Sequence, residues 1–219
     1  MEQLYPIIQD CPLFEGISRE ELPGLLSCLG GVTKRVARGC YLFREGDEAV
    51  WIGIVLRGSV MVLRSDLDGE RSVMEIVGPG EIFGGSYAFA QIRELPVSIR
   101  AEEETHVLLL DSRRIASCCS NACAFHSRVI INLLRLAATR NLQLHQKLRV
   151  VSRRTTREKL MEYLLHQAKL RGRRLFTIPF DRQALADYLE VDRSGLSAEI
   201  SKLRREGVLE CEKSTFKLL

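Results

Sequence analysis

The 219-residue sequence predicts an α+β fold built in three successive regimes. Three observations predict it. Segments rich in Val and Ile, punctuated by glycine turns, run from about Val32 to Asp111. A stretch with neither Pro nor Gly runs from about Asn121 to Arg149. The final segment, Phe180–Leu219, reads as two short amphipathic helices followed by a hairpin.

The first 30 residues read as short helices. Ser18 caps a turn with Glu21 three residues on, ahead of Leu22, Leu25 and Leu26. Strand-like patterning follows. Val32, Lys34 and Val36, then Cys40 and Leu42, alternate with residues of other character. Trp51–Leu63 is apolar and β-branched, broken at Arg57-Gly58. Asp68-Gly69 between two apolar runs is a hairpin signal, and Gly78-Pro79-Gly80 is a further turn. Strands at this spacing predict an all-β barrel or a jelly roll (a double-stranded β-helix) of about 80 residues.

In the long helix, Ile130, Leu134, Ala137, Asn141, Leu144 and Leu148 recur at alternating spacings of four and three, a heptad seam. Leu133, Leu136, Ala138 and Leu142 form a second apolar flank. One flank is expected to pack on the roll and the seam on a second copy of the chain. Asn141, polar within the seam, suits a register-fixing role. Val151–Arg154 reads as a hinge. Thr155 and Glu158 form a capping box for a helix carrying Leu160, Tyr163, Leu164 and Ala168, ended by Gly172. The expected organisation is a roll over residues 1–115, a dimerisation helix over 116–150 and a terminal domain over 151–219.

In that terminal domain, Asp181 caps a helix bearing Leu185, Ala186 and Leu189. Glu190-Val191-Asp192 turns into a second helix with Leu196, Ile200 and Leu203 on its buried stripe. Gly207 stops it. Val208–Glu212 and Thr215–Leu218 form a hairpin with Lys213-Ser214 at its tip. This is the order of a winged helix-turn-helix, whose second helix enters the DNA major groove. Arg193, Ser194, Ser197 and Ser201 face outward there, and Arg193 suits bidentate contact to guanine. Arg182 and Gln183 at the start of the first helix, and Lys213 at the wing tip, are the remaining candidate DNA contacts.

Charge agrees. Residues 150–219 carry 15 Lys/Arg against 10 Asp/Glu, while the rest of the chain carries 17 against 18. The excess of positive charge sits where phosphates would. Composition is that of a soluble globular protein, 46% hydrophobic and 27% charged. No signal-peptide pattern and no membrane-length apolar run is present, so a cytoplasmic location is expected. Neither a phosphate-binding loop, a His-Glu-x-x-His motif nor a nucleophile elbow occurs, so no enzyme activity is expected.

The whole order resembles the Crp/Fnr family of transcription regulators. The resemblance rests on Phe43-Arg44-Glu45-Gly46-Asp47, Ile54–Val60, Gly78–Gly84 and Asp181–Leu189. It implies a cyclic-nucleotide-binding-type roll, a homodimer on a two-fold symmetric operator and contact with RNA polymerase. Two departures matter. Members that bind cyclic AMP carry a Glu just after Gly84 and an Arg-Ser pair before Arg100-Ala101; here those positions are Gly85, Leu95 and Pro96. A cyclic phosphate loses its charge-assisted partner without that Arg, so cyclic AMP is not the expected effector. Arg93 and Arg100 are alternatives for another anion; the competing expectation is that Arg100 faces solvent or pairs with Glu102. Many members also have Glu and Arg where Ser194 and Ala198 stand here, so the operator should differ.

By position, the candidate effector pocket is Gly84, Gly85, Ser86, Ser98 and Arg100 with Asn141, Leu144 and His145. A redox or metal signal is the other route. Cys119, Cys123 and His126 share a helical face and suit zinc or an iron–sulfur centre. Packing is the expected role of that group, as of Cys40 and Cys211. The N-terminal cysteine cluster of oxygen-sensing members is absent, since only Cys11 and Cys28 lie there. A constitutive regulator with a closed pocket is the competing reading.

Overall fold

A computed structural model describes residues 5–66, 68, 70–117 and 124–219. The chain divides into two compact units, Met1–Ala137 and Ala138–Leu219.

The first unit opens with α1 (Tyr5–Asp10), a 3₁₀ turn (Pro12–Phe14) and α2 (Leu22–Cys28). The Ser18 amide donates to the Glu21 carboxylate at 2.7 Å, which closes the turn ahead of α2. Among the described residues eleven strands follow, eight of them in this unit: β1 (Val32–Val36), β2 (Tyr41–Phe43), β3 (Trp51–Arg57), β4 (Val60–Ser65), β5 (Arg71–Val77), β6 (Ile82–Phe83), β7 (Ser98–Ala101) and β8 (Thr105–Asp111). Helices α3 (Gly85–Phe89) and α4 (Ser112–Ala116) flank β7 and β8 in sequence. The strands form two four-stranded antiparallel sheets, ordered β1-β8-β3-β6 and β2-β7-β4-β5, the expected jelly roll.

Strands β3 and β8 are buried on both faces. Val55, Val107 and Leu109 point between the sheets with Val60, Val62, Val77, Phe83, Val97 and Ile99. Ile52, Ile54, Leu56, Leu108 and Leu110 point the other way, onto Leu13, Phe14, Leu22, Leu25 and Leu26 of the N-terminal helices. Double burial explains why Trp51–Leu63 reads as a continuous apolar run. The break at Arg57-Gly58 is a corner where the chain changes sheet, not a hairpin within one. Gly58 has φ +79°, and a Cβ there would sit 2.7 Å from the Glu104 carbonyl. At Gly53 a Cβ would fall 1.8 Å from the Phe83 ring, so the aromatic lies directly on the backbone. Strands β4 and β5 pair from Val60–Val77 to Ser65–Arg71, the expected hairpin; Gly69 itself lies outside the described residues. The expected alternation in β1 fails, with only Val36 buried. Strand β1 borders its sheet, and its exposed side chains have no covering layer.

Helix α5 (Ala124–Val151) spans the division between the units. In its first half, Val129 is buried, and Ile130, Leu133 and Leu136 pack on the N-terminal cluster. Asn132 is buried and its amide donates to the carbonyls of Leu13 and Glu15 at 3.1 and 2.9 Å.

The second unit holds the rest of α5, then α6 (Thr156–Arg171), β9 (Leu175–Thr177), α7 (Arg182–Leu189), α8 (Arg193–Arg205), β10 (Leu209–Glu212) and β11 (Thr215–Leu218). Thr155 and Glu158 make the full reciprocal capping box, both bonds at 3.2 Å. The Thr155 amide, joined by that of Arg154, donates to the Glu158 carboxylate and holds it below its ordinary range. Leu160, Tyr163, Leu164, Leu185, Leu189, Leu196, Ile200, Leu203, Phe216 and Val150 build one core. Strand β9 has no periodicity long enough to betray it. It pairs with β11 beyond the hairpin, Phe176 opposite Phe216, and makes the wing three-stranded.

Candidate nucleic-acid interface and effector site

Helices α7 and α8 start alike, at an extended residue whose carboxylate accepts from an amide two or three residues inside the helix. Asp181 accepts from Ala184 N–H at 2.8 Å, and Asp192 from Gly195 N–H at 2.8 Å. The Ser194 hydroxyl also donates to Asp192. That bond first, then the Gly195 amide, holds the Asp192 carboxyl below its ordinary range. Glu190, with φ +53°, ends α7 and turns the chain into α8.

Leu196, Ile200 and Leu203 bury one stripe of α8, which leaves Arg193, Ser194, Ser197 and Ser201 exposed on the others. The guanidinium of Arg193 has no protein partner among the described residues. The serines are committed locally: Ser197 donates to the Arg193 carbonyl at 3.0 Å and Ser201 to the Ser197 carbonyl at 2.9 Å. Their hydroxyls keep acceptor capacity and little else. Gln183 donates to Asp187 at 2.8 Å, within α7. Arg182 is half-buried; its guanidinium reaches the Lys213 carbonyl at 3.4 Å and Cys211 Sγ at 3.6 Å, which ties α7 to the wing. Lys213 occupies the wing turn with φ +51°, its side chain exposed and unpaired among the described residues.

Several basic residues of this unit turn toward the protein. Arg157 on α6 reaches Glu206 at 2.6 Å and Glu199 at 3.7 Å, behind α8. Arg149 and Arg153 both meet Glu162, at 2.7 and 2.8 Å. The positive excess seen in the sequence is therefore divided between internal pairs and an outward set of Arg193, Lys202, Arg204, Arg205 and Lys213.

In the roll, Gly84 sits at the N-cap of α3, and Gly85 and Ser86 open that helix. A Cβ at Gly85 would meet Ile52 Cγ2 at 3.9 Å, an ordinary contact, so sterics do not require glycine there. Leu95 and Val97 are buried. Tyr87, Trp51, Leu42 and Phe43 close over the core between the sheets. Ser98 and Arg100 alternate with the buried Val97, Ile99 and Ala101, so they share the other side of β7. Ser98 Oγ accepts from the Glu45 amide at 3.0 Å, and Arg100 meets Glu102 at 3.0 Å. Position 95, which the family resemblance assigns to the phosphate partner of cyclic AMP, is a buried leucine, and Arg100 is on the far side of β7 and paired with Glu102. Asn141, Leu144 and His145 are exposed on α5 in the second unit.

His126 is buried at the start of α5. Its Nε2–H donates to the Ile115 carbonyl at 2.8 Å, which leaves Nδ1 facing Cys28 Sγ at 3.9 Å. Cys28 is the partner that sequence spacing missed, since α2 is remote in the chain. Cys118, Cys119 and Cys123 lie outside the described residues. Among the described residues no group of three or more His, Cys, Asp or Glu is placed to hold a metal. Burial pushes the Cys11 thiol up to about 11, which keeps it protonated and unreactive. Cys40 is exposed, against its expected packing role, whereas the half-buried Cys211 packs against the core of the second unit as expected.

The cyclic nucleotide-binding domain family matches residues 33–122, and the Crp-like helix-turn-helix domain family matches residues 158–219. The chain belongs to the Crp/Fnr family. Among curated relatives, this Crp/Fnr chain is 31% identical over 99 residues to the cyclic AMP receptor protein of Thermus thermophilus, covering 45% of this chain and 44% of that one. It is 27% identical over 172 residues to the nitrogen fixation regulation protein FixK of Rhizobium meliloti, covering 78% and 74%. The first match thus spans less than half of the relative's length. The crystal structure of the Thermus thermophilus catabolite activator protein is 25% identical, covers 95% of this chain and 93% of its own, and superposes with a TM-score of 0.50. No helix among the described residues is long and apolar enough to cross a membrane.

Proposed function

We propose that this chain is a homodimeric transcription regulator that binds a two-fold symmetric DNA operator through α8 and contacts RNA polymerase. The observation that carries the reading is the outward face of α8: a capped helix that presents Arg193, without a partner among the described residues, near its N-terminus, together with an exposed Lys213 at the wing tip. Such a helix end meets base edges, with wing and flanking cations on phosphate. Dimerisation is supported by α5, where Leu134, Ala137, Asn141, Leu144 and Leu148 of the seam are exposed in the single chain. In this reading residues 1–115 sense, 116–150 join two copies and 151–219 bind DNA.

The signal is an effector other than cyclic AMP, or a redox or metal event. The buried Leu95 supports the first clause, and the Cys28–His126 contact supports the second. A second reading, a constitutive regulator, is favoured by the apolar filling between the two sheets. Titrating candidate small molecules, oxidants and chelators against operator binding separates them: an affinity indifferent to all supports the constitutive reading.

The test of DNA binding is selection of bound duplexes from a random pool with the full chain. A two-fold symmetric consensus is the expected result. Arg193→Ala should then lose about 1–3 kcal/mol of specific binding and relax one position in each half-site. Failure of the wild-type chain to enrich any sequence would refute the reading.

A further inference from the structure

We propose that Lys147 is a positioning residue for DNA recognition: from α5 its ammonium holds the turn between α7 and α8, and so sets how the recognition helix is presented. The inference rests on the DNA-binding reading above. Helix α7 ends at Glu190, whose amide bonds the Asp187 carbonyl at 3.2 Å, while the Val191 amide bonds that of Ala186 at 3.1 Å. The carbonyl of Tyr188 instead receives Lys147 Nζ. The same ammonium lies 4.6 Å from the centre of the Tyr188 ring and 3.4 Å from Glu190 Oε1. A cation at a helix C-terminus satisfies an orphaned carbonyl and opposes the negative end of the dipole.

A second ammonium joins from α6, where Lys159 donates to the Glu190 carbonyl at 3.2 Å. Two residues further on, Asp192 caps α8. The turn is therefore held by cations from two helices just before the recognition helix begins. Tyr188 is fixed in turn by Phe180 and Tyr163, with ring centres 5.1 and 5.2 Å away. Val150, three residues beyond Lys147 on the same face of α5, is fully buried in the same core, so this end of α5 belongs to the DNA-binding unit. Lys147 is only 31% exposed and already paired, which sets it apart from the outward cations that suit phosphate.

The test uses the full chain with Lys147→Met and Lys147→Arg, on an operator selected with wild type. Lys147→Met should weaken operator binding about tenfold, the worth of one partly exposed charge-assisted bond. Its salt dependence and its affinity for non-specific duplex should stay at wild-type values, and Lys147→Arg should recover most of the loss. Unchanged operator affinity in a folded Lys147→Met would overturn the inference. So would an equal loss on both duplexes with the salt slope reduced by about one, the signature of a phosphate contact. If Lys147→Met fails to fold, the exposed Glu190→Gln carries the test, with a loss of about two- to threefold expected and no loss overturning the proposal. A wild-type chain that selects no sequence refutes the DNA-binding reading itself, a distinct outcome that removes this inference with it.

Discussion

Leu134→Ala should weaken the proposed dimer and spare the fold of the single chain. Leu134 sits in the α5 seam and is 64% exposed when one copy stands alone. The substitution removes three carbons, worth about 0.8 kcal/mol each when fully buried. Scaled by that exposure, the contact surrendered is about 1.5 kcal/mol per copy, and a two-fold interface loses it twice. The total, about 3 kcal/mol, raises the dimer dissociation constant by about 150-fold. Ala is at least as good a helix former as Leu, so helicity should hold. Sedimentation equilibrium over a concentration series measures the constant, and circular dichroism checks the helix. A dissociation constant unchanged within about threefold would mean that the seam does not face a partner at Leu134, and the argument from exposed heptad positions would fail.

Asp192→Ala removes the N-cap of α8 and should lower the midpoint of a denaturant melt, whereas Asp192→Asn should leave it close to wild type. The Asp192 carboxyl lies below its unfolded value of 3.8, so its contribution is complete above that value and is lost as pH falls through the folded one. Wild type should therefore lose stability below about pH 4 more steeply than Asp192→Asn; parallel acid profiles would exclude the carboxylate. Gly53→Ala should destabilise the roll by about 1–3 kcal/mol or more, because its Cβ would enter the Phe83 ring. Trp51, the sole tryptophan, reports that unfolding, and Phe83→Leu should restore part of it. Cyclic AMP should give no binding heat in calorimetry; micromolar affinity would refute the argument from Leu95 and Pro96.

Much of this protein was legible along the chain because local rules sufficed. Thr155 with Glu158, Asp181 and Asp192 announced their helices, since a capping side chain acts within one turn. The long helix α5 was legible because its periodicity needs no knowledge of its neighbours, but Ile130 of the expected seam packs on the N-terminal cluster of its own chain. The winged helix-turn-helix followed from order and spacing. The substitutions at Leu95 and Pro96 were visible because a missing charge needs no coordinates.

Other features depended on contacts between distant segments, which spacing does not encode. Strand β9 exists because β11 offers it an edge, and its three residues carry no period of their own. Ser98 and Arg100 had suitable chemistry, but the pleat of β7 put them on the side opposite Ile99. The positive charge of the last third was countable in advance. Only the tertiary structure divided it, pairing Arg153 and Arg157 with carboxylates and leaving Arg193 and Lys213 without a partner among the described residues. Cys28 met His126 for the same reason: two helices far apart in sequence were packed on one face of one sheet. The sequence by itself determined the elements, their caps and the type of output. The fold decided which charges remain available to a partner, because availability is a property of the neighbours a side chain finds.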